Sequence, residues 1–61
     1  MTHFTFTTAA GERVCMPRNV IGVIESEGLV YIANVVLDTQ PAEVSYTFDH
    51  IVTALNANVS L

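Results

Sequence analysis

Apolar and polar residues alternate in two short segments near the start of the chain. In residues 3–8, Phe4 and Phe6 alternate with threonine and other polar residues, which predicts a strand with one buried face. Residues 13–16 show the same alternation. Between the two segments, Gly11 tolerates the positive φ of a tight turn. The pattern therefore predicts a β-hairpin.

The middle of the chain predicts a second hairpin. Pro17 ends the preceding strand because it has no amide hydrogen, and residues 20–25 form an apolar strand. A tight turn at residues 26–28 leads into the longest apolar run, residues 29–37, which is interrupted only by Asn34. A run without alternation predicts a strand that is covered on both faces. Since one helix can cover only one face of so small a sheet, we expect a second subunit to cover the other.

The last third of the sequence predicts an amphipathic helix. After a turn at residues 38–42 and a short strand at residues 43–46, Thr47 has the side chain of an N-cap. Four apolar residues follow at the spacing of a buried helix face: Phe48, Ile51, Val52 and Leu55. The predicted fold is α+β, with two antiparallel hairpins forming a small curved sheet and one C-terminal helix, in a single domain of residues 1–61.

This order of elements resembles that of a known family. It rests on Gly11, Pro17, Asn19, Val20, Ile21, Ile24, Glu25, Val44, Thr47, Phe48, Asp49, Ile51 and Val52. The pattern resembles the small bacterial FlbD-like proteins, which are associated with flagellar operons, and it spans nearly the whole chain. The resemblance implies the same hairpin–hairpin–helix fold and an origin in bacteria or a bacteriophage.

Composition adds the expectation of a homo-oligomer. Apolar residues make up 51% of the 61 residues, and charged residues 13%, where a soluble domain has about 25%. A chain of this size buries only about 60% of its unfolded surface, and a single cysteine cannot form an internal disulfide. The surplus of apolar side chains is therefore expected between subunits, most simply in a dimer.

The charge balance excludes two classes of partner. The net charge is −4, there is no lysine, and Arg13 and Arg18 are the only arginines. Binding to nucleic acid or to an anionic membrane needs a cluster of cations, so we expect neither. The start of the chain lacks the pattern of a signal peptide, and a lone thiol suits a reducing compartment, which predicts a cytoplasmic protein.

No motif for catalysis, a cofactor or a metal occurs in the sequence, so we expect a protein that is not an enzyme. His3 and His50 lack the spacing of metal ligands. Cys15 shares a strand face with Arg13, whose charge would favour a reactive thiolate. The alternative is that this cysteine is a small hydrophobic residue packed under a neighbour.

The predicted function is that of a homo-oligomeric interaction protein, with a further protein partner possible. The alternative is a protein that binds a small anionic metabolite or nucleotide between subunits. In both cases the candidate binding residues are Arg13, Cys15 and Arg18, because guanidinium groups bind carboxylate or phosphate in a bidentate manner. The simpler alternative is that each arginine neutralises an acid such as Glu12 or Glu25.

Overall fold

The computed structural model describes residues 2–61. The predicted α+β fold, with two antiparallel hairpins and a C-terminal helix, is confirmed in these residues. The elements are β1 (His3–Thr7), β2 (Arg13–Pro17), a 3-10 helix (Arg18–Val20), β3 (Ile21–Ser26), β4 (Leu29–Asn34), β5 (Ala42–Val44) and α1 (Phe48–Asn56).

The strands form two antiparallel sheets, where the sequence predicted one. β1 pairs with β2 in the first sheet, and β3, β4 and β5 follow in that order in the second. Pro17 and the 3-10 helix Arg18–Val20 interrupt the ladder between β2 and β3, because proline offers no amide hydrogen. A hydrogen bond of 2.8 Å from the Ala9 amide to the Glu43 carbonyl connects the two sheets.

The hydrophobic core draws on both sheets and the helix. Its buried members are Phe4, Phe6, Val30, Ile32, Val44, Ile51 and Ala54. The packing of the two aromatic residues in the core agrees with the alternation read from residues 3–8. Because side chains on a strand alternate between faces, this core leaves the opposite face of each sheet directed outward.

The helix buries a face that overlaps only in part with the one predicted. Thr47 is the N-cap, since its hydroxyl oxygen accepts a hydrogen bond of 3.2 Å from the His50 amide. Only Ile51 of the predicted stripe is fully buried, and the second buried position is Ala54. Ala54 belongs to the same core cluster as Ile51. Leu55 packs against the core while it stays partly exposed. Phe48 and Val52 are also partly exposed.

The helix ends in a motif that turns the chain back towards β1. The Val59 amide donates to the Ala54 carbonyl at 3.1 Å, and the Asn58 amide donates to the Leu55 carbonyl at 3.3 Å. Asn58 has a φ of 60°, the left-handed conformation that this Schellman arrangement requires. Residues 59–61 are thereby directed back along the first sheet.

The second hairpin differs from its prediction at the end of β4. The strand ends at Asn34, so the predicted strand at residues 29–37 is three residues too long. The Asn34 side-chain oxygen accepts hydrogen bonds of 3.0 Å from the amides of Val36 and Leu37. Asparagine often directs the chain into a turn in this way. The last three apolar residues of the run therefore lie in a loop, and are not covered on two faces.

Candidate functional site

The Arg18 side chain forms hydrogen bonds with carbonyl groups at the end of the helix. Its Nη2 donates to the Val59 carbonyl at 2.9 Å and to the Ala54 carbonyl at 3.4 Å, and its Nη1 reaches the Val59 carbonyl at 3.3 Å. The guanidinium carbon lies 5.2 Å from the centroid of the buried Phe4 ring. A cation is favourable at this end of a helix, where carbonyl groups carry partial negative charge. Arg18 thus joins α1 and the tail to the first sheet, with carbonyl partners in place of Glu12 or Glu25.

Arg13 and Cys15 lie together, apart from Arg18. They are alternate, exposed residues of β2, and the structure places them on the outward face, as predicted. The guanidinium of Arg18 packs over Phe4, whose side chain is in the core, and so lies on the inward side of the same hairpin. Arg13 begins β2 and Arg18 follows its last residue, so the length of the strand, about 13 Å of extended backbone, separates the two arginines. The three predicted binding residues therefore do not form one cluster.

The outer edge of β1 is closed by polar groups from distant parts of the chain. The Thr5 amide donates to the Ser60 hydroxyl at 3.0 Å, and the Leu61 amide donates to the Thr5 carbonyl at 2.9 Å. Further along, the Thr7 amide donates to the Tyr46 hydroxyl at 3.1 Å. The tail and the segment before the helix therefore satisfy backbone groups that would otherwise face solvent.

The second sheet carries an apolar outward face. Val30 and Ile32 of β4 point into the core, so the alternate residues of this strand point out. The strand register places residues of β3 and β5 on the same outward face. Tyr31 of β4 lies opposite Ile24 of β3 on one side and opposite Glu43 of β5 on the other. The outward residues are Gly22, Ile24, Ser26, Leu29, Tyr31, Ala33 and Glu43. Among these seven residues only Glu43 is charged, and it lies on the edge strand β5.

The loop after β4 begins over this apolar face and carries further exposed apolar residues. Val35, Val36 and Leu37 are 66%, 71% and 60% exposed. The Val35 amide donates to the Val20 carbonyl at 2.8 Å, which fixes the start of the loop beside β3. The Val35 side chain lies over Gly22, where an added Cβ would be only 2.6 Å from its Cγ1. We refer to Ile24, Leu29, Tyr31, Ala33 and residues 35–37 as the outer apolar face.

The histidines occupy separate places. His3 begins β1, where its Nδ1 is 3.0 Å from the Thr2 hydroxyl. His50 lies in the first turn of α1, and its ring packs edge-on against Tyr46 with centroids 5.7 Å apart. Within residues 2–61 there is no group of three or more potential metal-ligating side chains. The same residues form no pocket.

The described part of the chain has no helix long and apolar enough to cross a membrane. No family model, no curated protein and no solved structure matches this chain. The relationship to the FlbD-like proteins therefore stays a prediction.

Two features of these surfaces were missed from the sequence, although one had a readable signal. Asn34 followed by residues 35–37 is compatible with a side-chain-capped turn, and asparagine is common at such positions. The role of Arg18 had no local signal, because its carbonyl acceptors lie 36 and 41 positions further along the chain.

Proposed function

We propose that the protein works by binding and not by catalysis, as a homo-oligomer whose subunits meet through the outer apolar face. The observation that carries the proposal is the exposure of large apolar residues on one side of the second sheet. Ile24 and Leu29 are 43% and 44% exposed, and the three residues of the adjoining loop are more exposed still. A continuous exposed apolar patch is typical of an interaction site.

A second copy of this chain is the occupant that fits the face best. A standard interface takes roughly 800 Å² from each partner. The two largest dimensions of the molecule are 30 and 24 Å, so an interface of that size would centre on the outer apolar face and include the polar residues around it. Each copy carries a net charge of −4. Two copies can still approach through this face, because its outward rows are nearly free of charge and interface cores are depleted in charged residues.

The same proposal includes the cellular location. Cys15 is exposed, and a reducing compartment such as the cytoplasm would keep its thiol free. Protein binding is the better supported of the two candidate functions, since Arg13 and Arg18 of one subunit do not converge on a site for a small anion. Binding of a small anion between subunits stays a prediction.

Static light scattering on the purified protein tests the assembly. We expect a mass of about twice 6.6 kDa at micromolar concentration, the doubling that a two-fold interface gives. Ile24→Glu should yield a folded monomer, because it places a carboxylate in the middle of the apolar rows.

Thr53→Glu is the matched control. It adds the same charge at an exposed position of α1, on the side of the core away from the outer apolar face, and should leave the dimer intact. A wild-type protein with a clean mass near 6.6 kDa, or equal dissociation by both variants, would contradict the proposal.

A further inference from the structure

The backbone of β2 has one edge that its own hairpin does not use. In β1, the amides of Thr5 and Thr7 point away from β2, because they donate to Ser60 and Tyr46. In an antiparallel pair, residues directly opposite each other direct their backbone groups the same way relative to the ladder. Cys15 lies opposite Thr5 and Arg13 lies opposite Thr7. The amide and carbonyl groups of Arg13 and Cys15 therefore point to the outer edge of β2.

Within the described chain, no strand pairs with this edge. β2 has β1 as its neighbour, and the second sheet does not include it. The contrast with β1 is direct, since the outer edge of β1 is closed by Ser60, Leu61 and Tyr46. Proteins that add a strand from a partner use a sheet edge of this kind, where backbone amide and carbonyl groups of alternate residues have no partner in the sheet.

The charges around this edge favour one kind of strand. All arginine side-chain hydrogen bonds within residues 2–61 come from Arg18, and the exposed Arg13 side chain stands on β2 itself. A strand added at this edge places every second side chain on the same face as Arg13 and Cys15. A carboxylate at one of those positions would meet the guanidinium of Arg13. Pro17 has no amide hydrogen, so the paired segment is short.

We infer that the outer edge of β2 is a strand-addition site for an extended segment of a partner protein that carries an acidic residue beside Arg13. This site is separate from the outer apolar face, because it is formed by the first sheet and not by the second. The site contains two of the three binding residues predicted from the sequence, Arg13 and Cys15. Arg18 contributes only by fixing the hairpin to the helix.

Capped nine-residue peptides of alternating threonine and valine provide the probes. One carries glutamate at its centre, a second carries lysine there, and a third carries proline. The wild-type protein, labelled with nitrogen-15, is titrated with each peptide, and the amide signals and hydrogen exchange of Arg13 and Cys15 are followed by NMR. We expect the glutamate peptide to shift both signals and to slow both exchange rates. The proline peptide should have no effect, because it cannot complete the ladder.

Charge reversal tests the role of Arg13. In the wild type the glutamate peptide should bind about fivefold more tightly than the lysine peptide, as expected for a solvent-exposed ion pair replaced by like charges. Arg13→Glu should reverse that order, while Arg18 and the fold stay intact. The outcomes that overturn the inference are unchanged Arg13 and Cys15 signals with every peptide, equal binding of the two charged peptides, or shifts confined to the outer apolar face.

Discussion

The two hairpins of this molecule use their side chains in opposite ways. Around the first hairpin, polar side chains form hydrogen bonds within the molecule. The hydroxyl groups of Tyr46 and Ser60 accept from amides of β1, and Arg18 donates to a carbonyl beyond the end of the helix. Around the second hairpin, apolar groups point to the surface, with residues 35–37 the most exposed. In a domain too small to bury all its apolar residues, hydrogen bonds close the β1 edge of the first hairpin, whereas the second hairpin leaves large apolar side chains exposed.

The largest expected effect compares two residues of β4 that face opposite ways. Ile32 is fully buried and Leu29 lies on the outer apolar face. Replacing either with alanine removes the same number of carbon atoms. In the Ile24→Glu background, where we expect no association, Ile32→Ala should lower the free energy of unfolding by about 2–5 kcal/mol. Leu29→Ala should lower it by less than about 1 kcal/mol, since substitutions at exposed sites have small effects.

Urea denaturation at one fixed protein concentration measures both changes. Similar losses for the two variants would mean that Leu29 is buried within the subunit, and the contrast between inward and outward rows would fail. A large loss for Leu29→Ala in the wild-type background alone would instead place its burial between subunits, because association adds to apparent stability.

The sequence predicted those features that depend on local chemistry. Alternation of Phe4 and Phe6 with polar residues identified a half-buried strand, and Thr47 identified the start of the helix. Gly11 has a φ of 87°, the conformation for which glycine was expected in the first turn. In each case the signal lies within a few residues, so neighbouring positions are enough to read it.

The remaining features depend on contacts between distant residues. The apolar run at residues 29–37 looks continuous, but Asn34 diverts its last part into a loop whose first side chain packs over Gly22. The buried face of α1 includes Ala54, whose partners in the core cluster come from strands far away in the sequence. The scarcity of cations predicts a shared role for Arg13 and Arg18, whereas the partners of Arg18 are carbonyl groups brought near by the return of the tail. None of these follows from periodicity.

A smaller effect should separate the two arginines. Arg18→Ala removes charge-assisted hydrogen bonds and a contact with the Phe4 ring, so we expect a loss of about 1–3 kcal/mol in the free energy of unfolding. Arg13→Ala removes an exposed side chain and should change stability by less than about 0.5 kcal/mol. Thermal and urea unfolding of the two variants under identical conditions give the comparison. Equal losses would show that Arg13 also stabilises the fold, and would weaken its assignment to binding.

The smallest expected effect is a gain in stability at the tip of the second hairpin. Glu27 and Gly28 connect β3 to β4 with φ values of 53° and 81°, the pattern of a type I′ turn. Such turns favour asparagine followed by glycine, because most side chains are strained at positive φ. Glu27→Asn should therefore raise the free energy of unfolding by about 0.5–1 kcal/mol, part of the 1–2 kcal/mol cost of a left-handed residue.

Glu27→Gln is the control, since it removes the same charge without the backbone preference of asparagine. An equal gain from glutamine would assign the effect to charge, and relief of strain would be the wrong explanation. Because this turn lies beside Leu29 but outside the outer apolar face, Glu27→Asn should stabilise the subunit without changing the mass of the assembly.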